Sequence, residues 1–420
     1  MTPLAWRRSY ESLIERLPAL AANARLTFGG FSVCVDVYLA LHEVVGTLRA
    51  AAEPHSLAAQ MIDELVRRAR CGIGGELAFD WPEGPAWMDG YVTGRHAVGG
   101  TNLQAAHMLA MLGAPALSSL EDRSAGQLAV IHPDVLVAED QELLPRSSIV
   151  PAGAGRPAHY IFEYTAGEIV EHAVVPRSSR TILRFDHSDL QHDHKFDRLS
   201  VELASTAGAA IICGFNEAPP DKVPAEIDYA AGLARAWRRA GLALVHLEFG
   251  DFAADAPRRL TIERMLPEVS SVGMSLSELR GMLPEIAAPD DAAIRLAETY
   301  GLARVCIHAD EWALAVTRGD PERELEALEA GCLLASARAA AGIFTVPRHL
   351  PDGARFVQPP LPLISRGNDG WSVVCCPAPY LARPKATIGL GDTFLAGTLL
   401  VLGGATAVPR REPIVQWRHS

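Results

Sequence analysis

From Gly208 onward the chain alternates short apolar runs with amphipathic stretches, and this alternation constrains the fold more than any other feature. Ala209-Ala-Ile-Ile-Cys-Gly214 precedes a helical pattern from about Tyr229 to Ala240. Leu242-Ala-Leu-Val-His-Leu-Glu-Phe249 precedes another from about Arg258 to Leu266. The order continues through Ser271-Val-Gly-Met274, a helix from Ser275, the run Ala303-Arg-Val-Cys-Ile-His308, a long helix near Glu322 to Ala341, and Trp371-Ser-Val-Val-Cys-Cys376. Apolar strands separated by helices build an α/β fold around a doubly wound, mostly parallel sheet. Ligands gather beyond the carboxyl ends of such strands. The informative residues are therefore His246, Glu248, Ser275, Glu278 and His308.

His246 and Glu248 stand at i and i+2, on one face of a strand otherwise made of Leu, Val and Phe. A buried carboxylate needs a partner. A hydrated Mg²⁺ is one answer, with Glu278 reaching the same ion, and an ion pair with one of the many arginines is the other.

The stretch Thr387-Ile-Gly-Leu-Gly-Asp-Thr-Phe-Leu-Ala-Gly397 carries the strongest chemical signal. Pro384 stops any helix before it, the glycines permit a tight turn, and Phe394 to Leu402 reads as a buried helix. Asp392 then lies at a helix N-terminus, beside backbone N–H groups that lack intrahelical partners and suit an anion. Such an aspartate takes a proton from a substrate hydroxyl while the N–H groups hold the charge of a phosphoryl group in transfer. The structural alternative is a plain N-cap on a glycine turn.

Earlier segments supply further candidates. A helical pattern from about Ser9 to Ala24 leads to Phe31-Ser-Val-Cys-Val-Asp-Val37, which reads as a strand carrying Asp36 near its end. Two helical patterns follow between Leu41 and Arg70. Cys71-Gly-Ile-Gly-Gly-Glu-Leu77 is a glycine-rich loop carrying Glu76, but it lacks the Lys-Ser/Thr of a phosphate-binding loop. Gly99-Gly100 precedes a helix from Leu103 to Leu112, a second place with free N–H groups. Gln127 to about Val137 reads as a strand, Pro151-Ala-Gly-Ala-Gly-Arg-Pro157 as a connection, and His159-Tyr-Ile-Phe-Glu-Tyr164 as a half-exposed strand. Arg177, Arg180 and Arg184 cluster near another strand, where they form either a solvated rim or a phosphate clamp.

Charge and cysteine content narrow the classes. With 50 acidic against 38 basic residues, a net charge of −12 and no long basic run, nucleic acid and anionic membranes are not expected partners. No apolar run approaches the roughly 18 residues that span a bilayer. The seven cysteines are odd in number, lie mostly in apolar segments and lack metal-ligand spacing, as expected of reduced thiols in a cytoplasmic protein.

Taken together in this order, the motifs resemble the ADP-dependent glucokinase/phosphofructokinase family of the ribokinase-like superfamily. The motifs are the Val-Asp strand, the glycine loop with Glu, Gly-Gly before a helix, His-x-x-Phe-Glu-Tyr, Pro-Arg-x-x-Arg, His-x-Glu, Ser-Val-Gly-Met-x-x-x-Glu and Thr-x-Gly-Leu-Gly-Asp-Thr. The resemblance runs from about Phe28 to Leu400. It implies a ribokinase-like doubly wound sheet domain (1–37, 97–150 and 200–420) with a smaller discontinuous α/β lid domain (38–96 and 151–199). It further implies Mg²⁺, a sugar or sugar phosphate as acceptor, and ADP as donor with AMP as product.

Position by position, the resemblance makes Asp392 the base, with Gly389 and Gly391 framing the anion hole and Arg180 near the donor phosphates. Glu248 and Glu278 match metal-organising carboxylates. Asp36, Glu76, Gly99, Gly100 and His159 match sugar-facing positions, and the nucleotide lies along Tyr380 to Ile388. Two positions depart from the pattern: Cys34 replaces a usual Asn, and Ser275 replaces the Asn of Asn-x-x-Glu. A Glu at position 76 implies unphosphorylated glucose, whereas Arg177 and Arg184 keep a sugar phosphate open. An ATP-dependent kinase of another small alcohol and a non-catalytic sugar or nucleotide sensor are the alternatives.

Overall fold

The first strand of the main sheet, Thr27–Gly30, pairs in parallel with Ala209–Ile212 on one side and Ala116–Ser118 on the other. In this computed structural model, which describes residues 2–185, 190–252, 254–366 and 370–405, the sheet has eleven strands. On one side it continues through Val245–Glu248, Ser271–Ser275, Arg304–His308, Trp312–Thr317, Ser372–Pro377 and Ile364–Arg366. On the other it continues through Leu136–Glu139 and Glu142–Pro145. From Leu136–Glu139 to Arg304–His308 every pairing is parallel, and the outer strands turn antiparallel. The chain enters at Thr27–Gly30, winds outward one way and later the other. Connections therefore diverge on either side of the boundary between Thr27–Gly30 and Ala209–Ile212, which leaves a crevice at the carboxyl ends there.

Strand periodicity explains the layers. Ala209 and Ile211 enter one core with the helices Pro3–Asn23, Thr101–Met111, Pro321–Ala341 and Leu390–Leu402. Ala210 and Ile212 enter another with His194–Leu203, Val223–Arg239, Asp255–Met265 and Pro289–Tyr300. Both faces of the main sheet are thus covered, as continuous apolar strands require. No described helix is long and apolar enough to cross a membrane.

A second sheet of five strands runs Gly75–Ala78, Ser179–Arg184, His159–Tyr164, Cys34–Ala40, Arg95–Gly99. Val37, Leu39, Tyr160, Phe162 and Leu183 pack under the helices Leu41–Ala51, Leu57–Cys71 and Gly84–Tyr91. The alternate residues, Asp36, Tyr38, His159, Ile161, Ile182 and Arg184, therefore face the other way. Tyr38 and Ile161 on that face pack with Ile388, just ahead of the Asp392 turn. A sheet with helices on one side only has been laid over the carboxyl ends of the larger one.

Three expectations need correction. The strand read as Phe31–Val37 divides into Thr27–Gly30 of the main sheet and Cys34–Ala40 of the smaller sheet, separated at Phe31 by a positive φ of 87°. As a result, the expected domain limits at 37/38 and 96/97 fall inside Cys34–Ala40 and Arg95–Gly99, both strands of the smaller sheet. The strand read over Gln127 to Val137 is a helix, Ala125–Val130, followed by strand Leu136–Glu139. Ser124 caps that helix by accepting the Gln127 N–H at 3.2 Å, a local bond that an apolar count does not register.

Candidate active site

Asp392 lies in the first turn of helix Leu390–Leu402, whose N-cap is Gly389 in the left-handed region at φ 68°. The first intrahelical bond runs from the Thr393 N–H to the Gly389 carbonyl at 3.0 Å, so the N–H groups of Leu390, Gly391 and Asp392 precede the ladder. Arg338, from helix Pro321–Ala341, secures the turn by donating Nη1 to the Gly389 carbonyl and to Thr393 Oγ1, each at 2.9 Å. A Cβ at Gly389 would stand 2.2 Å from that guanidinium, so glycine is needed there for both shape and space. Burial pushes the Asp392 carboxyl above the usual range. Arg338 and a hydrogen bond from Thr101 pull it back, and the charge of Glu248 pushes it up again.

Glu248 ends its strand between two imidazoles, with His246 Nε2 at 3.0 Å and His308 Nε2 at 3.3 Å. A carboxylate only accepts, so His246 Nε2 carries a proton and its Nδ1 accepts from Ser271 Oγ at 2.8 Å. Burial disfavours the Glu248 charge, but the bonds from His246 and His308 outweigh it and hold this carboxyl down at about 2. His308 titrates above the ordinary imidazole value because Glu248, Glu278 and Asp392 surround it, their pull exceeding the opposing effect of burial. A Cβ at Gly273 would fall 2.3 Å from Glu248 Oε2, so this glycine clears the space the carboxylate occupies. Of the two partners weighed for this carboxylate, the arginine gives way to histidines.

Glu278 has a local task as well. Its Oε2 accepts the Ser275 N–H at 2.6 Å while Ser275 Oγ accepts the Glu278 N–H at 3.2 Å, a capping box on helix Leu276–Met282. Its carboxyl is raised by burial and feels both His308 and Glu248. The carboxylates of Glu248 and Glu278 retain free lone pairs, and oxygen donors held this way fit a hydrated Mg²⁺ better than a dry cage.

The opposite wall comes from the smaller sheet. Asp36 is 4% exposed, its carboxyl raised to about 7 by burial, and it feels Arg338, Asp392 and Glu217. Gly99, the register partner of Cys34 on the next strand, borders it, and a Cβ there would meet Asp36 Oδ1 at 2.2 Å. Gly100 caps helix Thr101–Met111 at φ 81°, against the Ser32 backbone. Glu76 receives Arg184 Nη2 at 2.6 Å and Asn216 Nδ2 at 2.9 Å, and burial raises it to about 7. Buried His159 is pushed down to about 3 by burial and by the charge of Arg184, so it stays neutral.

Among the arginines, Arg177 is exposed and Arg184 is buried and committed to Glu76 and to the Glu217 carbonyl at 2.9 Å. Arg180 stands opposite Glu163, whose carboxyl feels Arg95, Arg180 and Arg338 together. That places Arg180 on the cleft face, toward the residue that pins the Asp392 turn.

The arrangement thus joins Asp392 to Glu248, Glu278 and His308 on one side and to Asp36 on the other. Sequence reasoning missed Arg338, Thr101 and Glu217. Glu217 carried a signal, since Phe215-Asn-Glu217 closely follows an apolar strand. Arg338 carried none that distinguishes it from other arginines in an alanine-rich helix.

The pattern of the ADP-specific phosphofructokinase/glucokinase conserved region matches residues 27–401. The chain belongs to this family. An ADP-dependent glucose/glucosamine kinase of Pyrococcus furiosus is 23% identical over 308 residues, 66% of this chain and 64% of that relative. An ADP-specific phosphofructokinase of the same organism is 24% identical over 326 residues, 64% of this chain and 68% of the relative. A solved ADP-dependent kinase in complex with fructose-6-phosphate and ADPβS shares the fold at a TM-score of 0.73 and 17% identity, covering 96% of this chain and 99% of that one. The ADP-dependent kinase architecture therefore extends over nearly the whole chain, while the alignment spans just under two thirds of the glucose/glucosamine kinase.

Proposed function

We propose that this member of the family transfers the β-phosphoryl group of ADP to a hydroxyl of an unphosphorylated hexose of the glucose type and releases AMP. The observation that carries the reading is Asp392, at the mouth of a turn of free N–H groups, sharing one charge cluster with Glu248 and with Asp36. Asp392 takes the hydroxyl proton, and its raised carboxyl makes it a stronger base than an exposed aspartate. The N–H groups of Leu390, Gly391 and Asp392, together with the helix dipole, stabilise the phosphoryl group in flight. Arg338 keeps that turn in place, and Arg180 approaches the donor phosphates from the smaller sheet. Mg²⁺, held through water by Glu248 and Glu278, would neutralise diphosphate charge. The smaller sheet acts as a lid that keeps water from the phosphoryl group.

Acceptor choice follows from charge. Asp36, Glu76 and Glu217 line the sugar side, and the buried arginine there, Arg184, is already paired with Glu76. Carboxylates and a neutral His159 bind hydroxyl groups, and carboxylate charge disfavours a sugar phosphate. Fructose 6-phosphate remains the second reading because Arg177 is exposed and the relatives include a phosphofructokinase. The test is AMP formation from ADP and Mg²⁺ with glucose, glucosamine or fructose 6-phosphate, and with ATP as a donor control. AMP with glucose or glucosamine supports the reading, AMP with fructose 6-phosphate alone reverses the acceptor, and turnover with ATP only moves the chain to another kinase class. Binding without any turnover would favour a sensor.

A further inference from the structure

Cys34 stands where the family resemblance leads one to expect Asn, and its surroundings give that difference a consequence. Its Sγ lies 3.4 Å from His159 Nδ1 and 3.6 Å from Asp36 Oδ1, and one donor atom from each of the three residues falls within 4.8 Å of the others. Among the described residues no other group of three or more His, Cys, Asp or Glu side chains meets that spacing. Tetrahedral zinc with bonds of about 2.0–2.3 Å to S, N and O separates its ligand atoms by about 3.4–3.6 Å. Both sulfur-centred distances already match those edges, and the carboxylate and imidazole donor atoms lie within 4.8 Å of each other.

The support around the trio is rigid. Asp36 and His159 are register partners on adjacent strands, and Cys34 is two residues before Asp36, so all three point to one face. Gly99 makes room for the group, since a Cβ there would stand 2.2 Å from Asp36 Oδ1 and 2.6 Å from Cys34 Sγ. Cys34 is partly exposed while its two companions are buried, so the open side of the trio faces the cleft.

We propose that Cys34, Asp36 and His159 form a three-ligand site for a thiophilic divalent cation of the zinc class, and that its occupation excludes the hexose. Thiolate, imidazole and carboxylate are a zinc donor set, and three protein ligands leave a fourth position for water. Mg²⁺ avoids sulfur and stays with the oxygen donors near Glu248. The exclusion of hexose rests on the kinase reading above, whereas the metal site does not.

The experiment uses the full chain freed of metal with a chelator and titrated with Co²⁺, a spectroscopic stand-in for zinc. One equivalent should give a thiolate-to-cobalt absorption band without any sugar or nucleotide. Cys34→Asn and His159→Gln should each weaken Co²⁺ binding by more than the roughly 10–100-fold that loss of an outer hydrogen-bond partner costs. Cys71→Ser, at an exposed thiol outside the trio, should leave the band unchanged, and circular dichroism confirms folding of each variant. Glucose should weaken Co²⁺ binding in a chain that phosphorylates it. No band at one equivalent, a band that survives in folded Cys34→Asn, or a band indifferent to glucose in an active chain overturns the proposal. A chain that forms AMP yet shows no band refutes the metal site alone. A chain that shows the band yet never forms AMP refutes the kinase reading alone.

Discussion

Asp392 has the shortest route from residue to chemistry. Replacing it with Asn removes the proposed proton acceptor and leaves the N–H groups and Arg338 in place, so kcat should fall by about 10²–10⁴-fold while the thermal midpoint stays close to that of the parent. AMP release against time, alongside a melting curve, checks both halves. Because burial raises this carboxyl, the proposed base is lost to protonation at a higher pH than an exposed aspartate would be. The acid limb of the kcat/KM profile should therefore lie above the range in which ordinary carboxylates titrate. The aspartate was legible in sequence because a glycine turn opening an apolar helix is a local pattern. Arg338, which holds that turn from a helix some fifty residues earlier, was not, since only packing brings the two together.

Glycines and caps belong to the scale of elements. Gly273→Ala drives a Cβ to 2.3 Å from Glu248 Oε2 and 2.7 Å from His246 Nε2, which should cost about 1–3 kcal/mol and displace the carboxylate. Gly46→Ala, in the exposed face of helix Leu41–Ala51 with nothing within 4 Å, should instead stabilise by about 0.5–1 kcal/mol. Urea unfolding of the two variants reads opposite signs from the same chemical change. Ser275→Ala removes half of the capping box on Leu276–Met282 and should cost about 1 kcal/mol in the same assay. The alternation after Gly208 announced most of these elements, yet helix Pro289–Tyr300 and strand Trp312–Thr317 escaped it. Antiparallel Trp312–Thr317 needs only a short turn from its neighbour, so no helix marks it in the sequence.

Whole-molecule behaviour should show in the response to pH. Asp36 and Glu76 each titrate near 7 in the folded chain, above their unfolded values, because burial disfavours their charge. Their stabilising contribution is complete below the unfolded values and is lost as pH rises through about 7. Glu248 runs the other way: held near 2 by two imidazoles, it stabilises above its unfolded value, and that contribution fades as pH falls toward 2. Without ligand, these two carboxyls should therefore contribute a decline in thermal midpoint up to about pH 7, set against a rise that neutral His159 contributes as pH climbs toward the unfolded imidazole value. Asp36→Asn or Glu76→Gln should flatten that decline, as differential scanning calorimetry would read. An unchanged slope in both variants would remove these two carboxyls as its source.

By itself the sequence determined the α/β class, the family and the Asp392 turn, because each depends on residues close together in the chain: strand and helix periods, a glycine turn, a helix start. Only the tertiary structure decided that strand Cys34–Ala40 leaves the main sheet, that Arg184 is taken by Glu76, that histidines rather than arginines hold Glu248, and that Cys34 meets His159. Those outcomes depend on which distant segments share a cleft. Burial and partner choice there are set by packing across the two sheets, a quantity no local pattern carries.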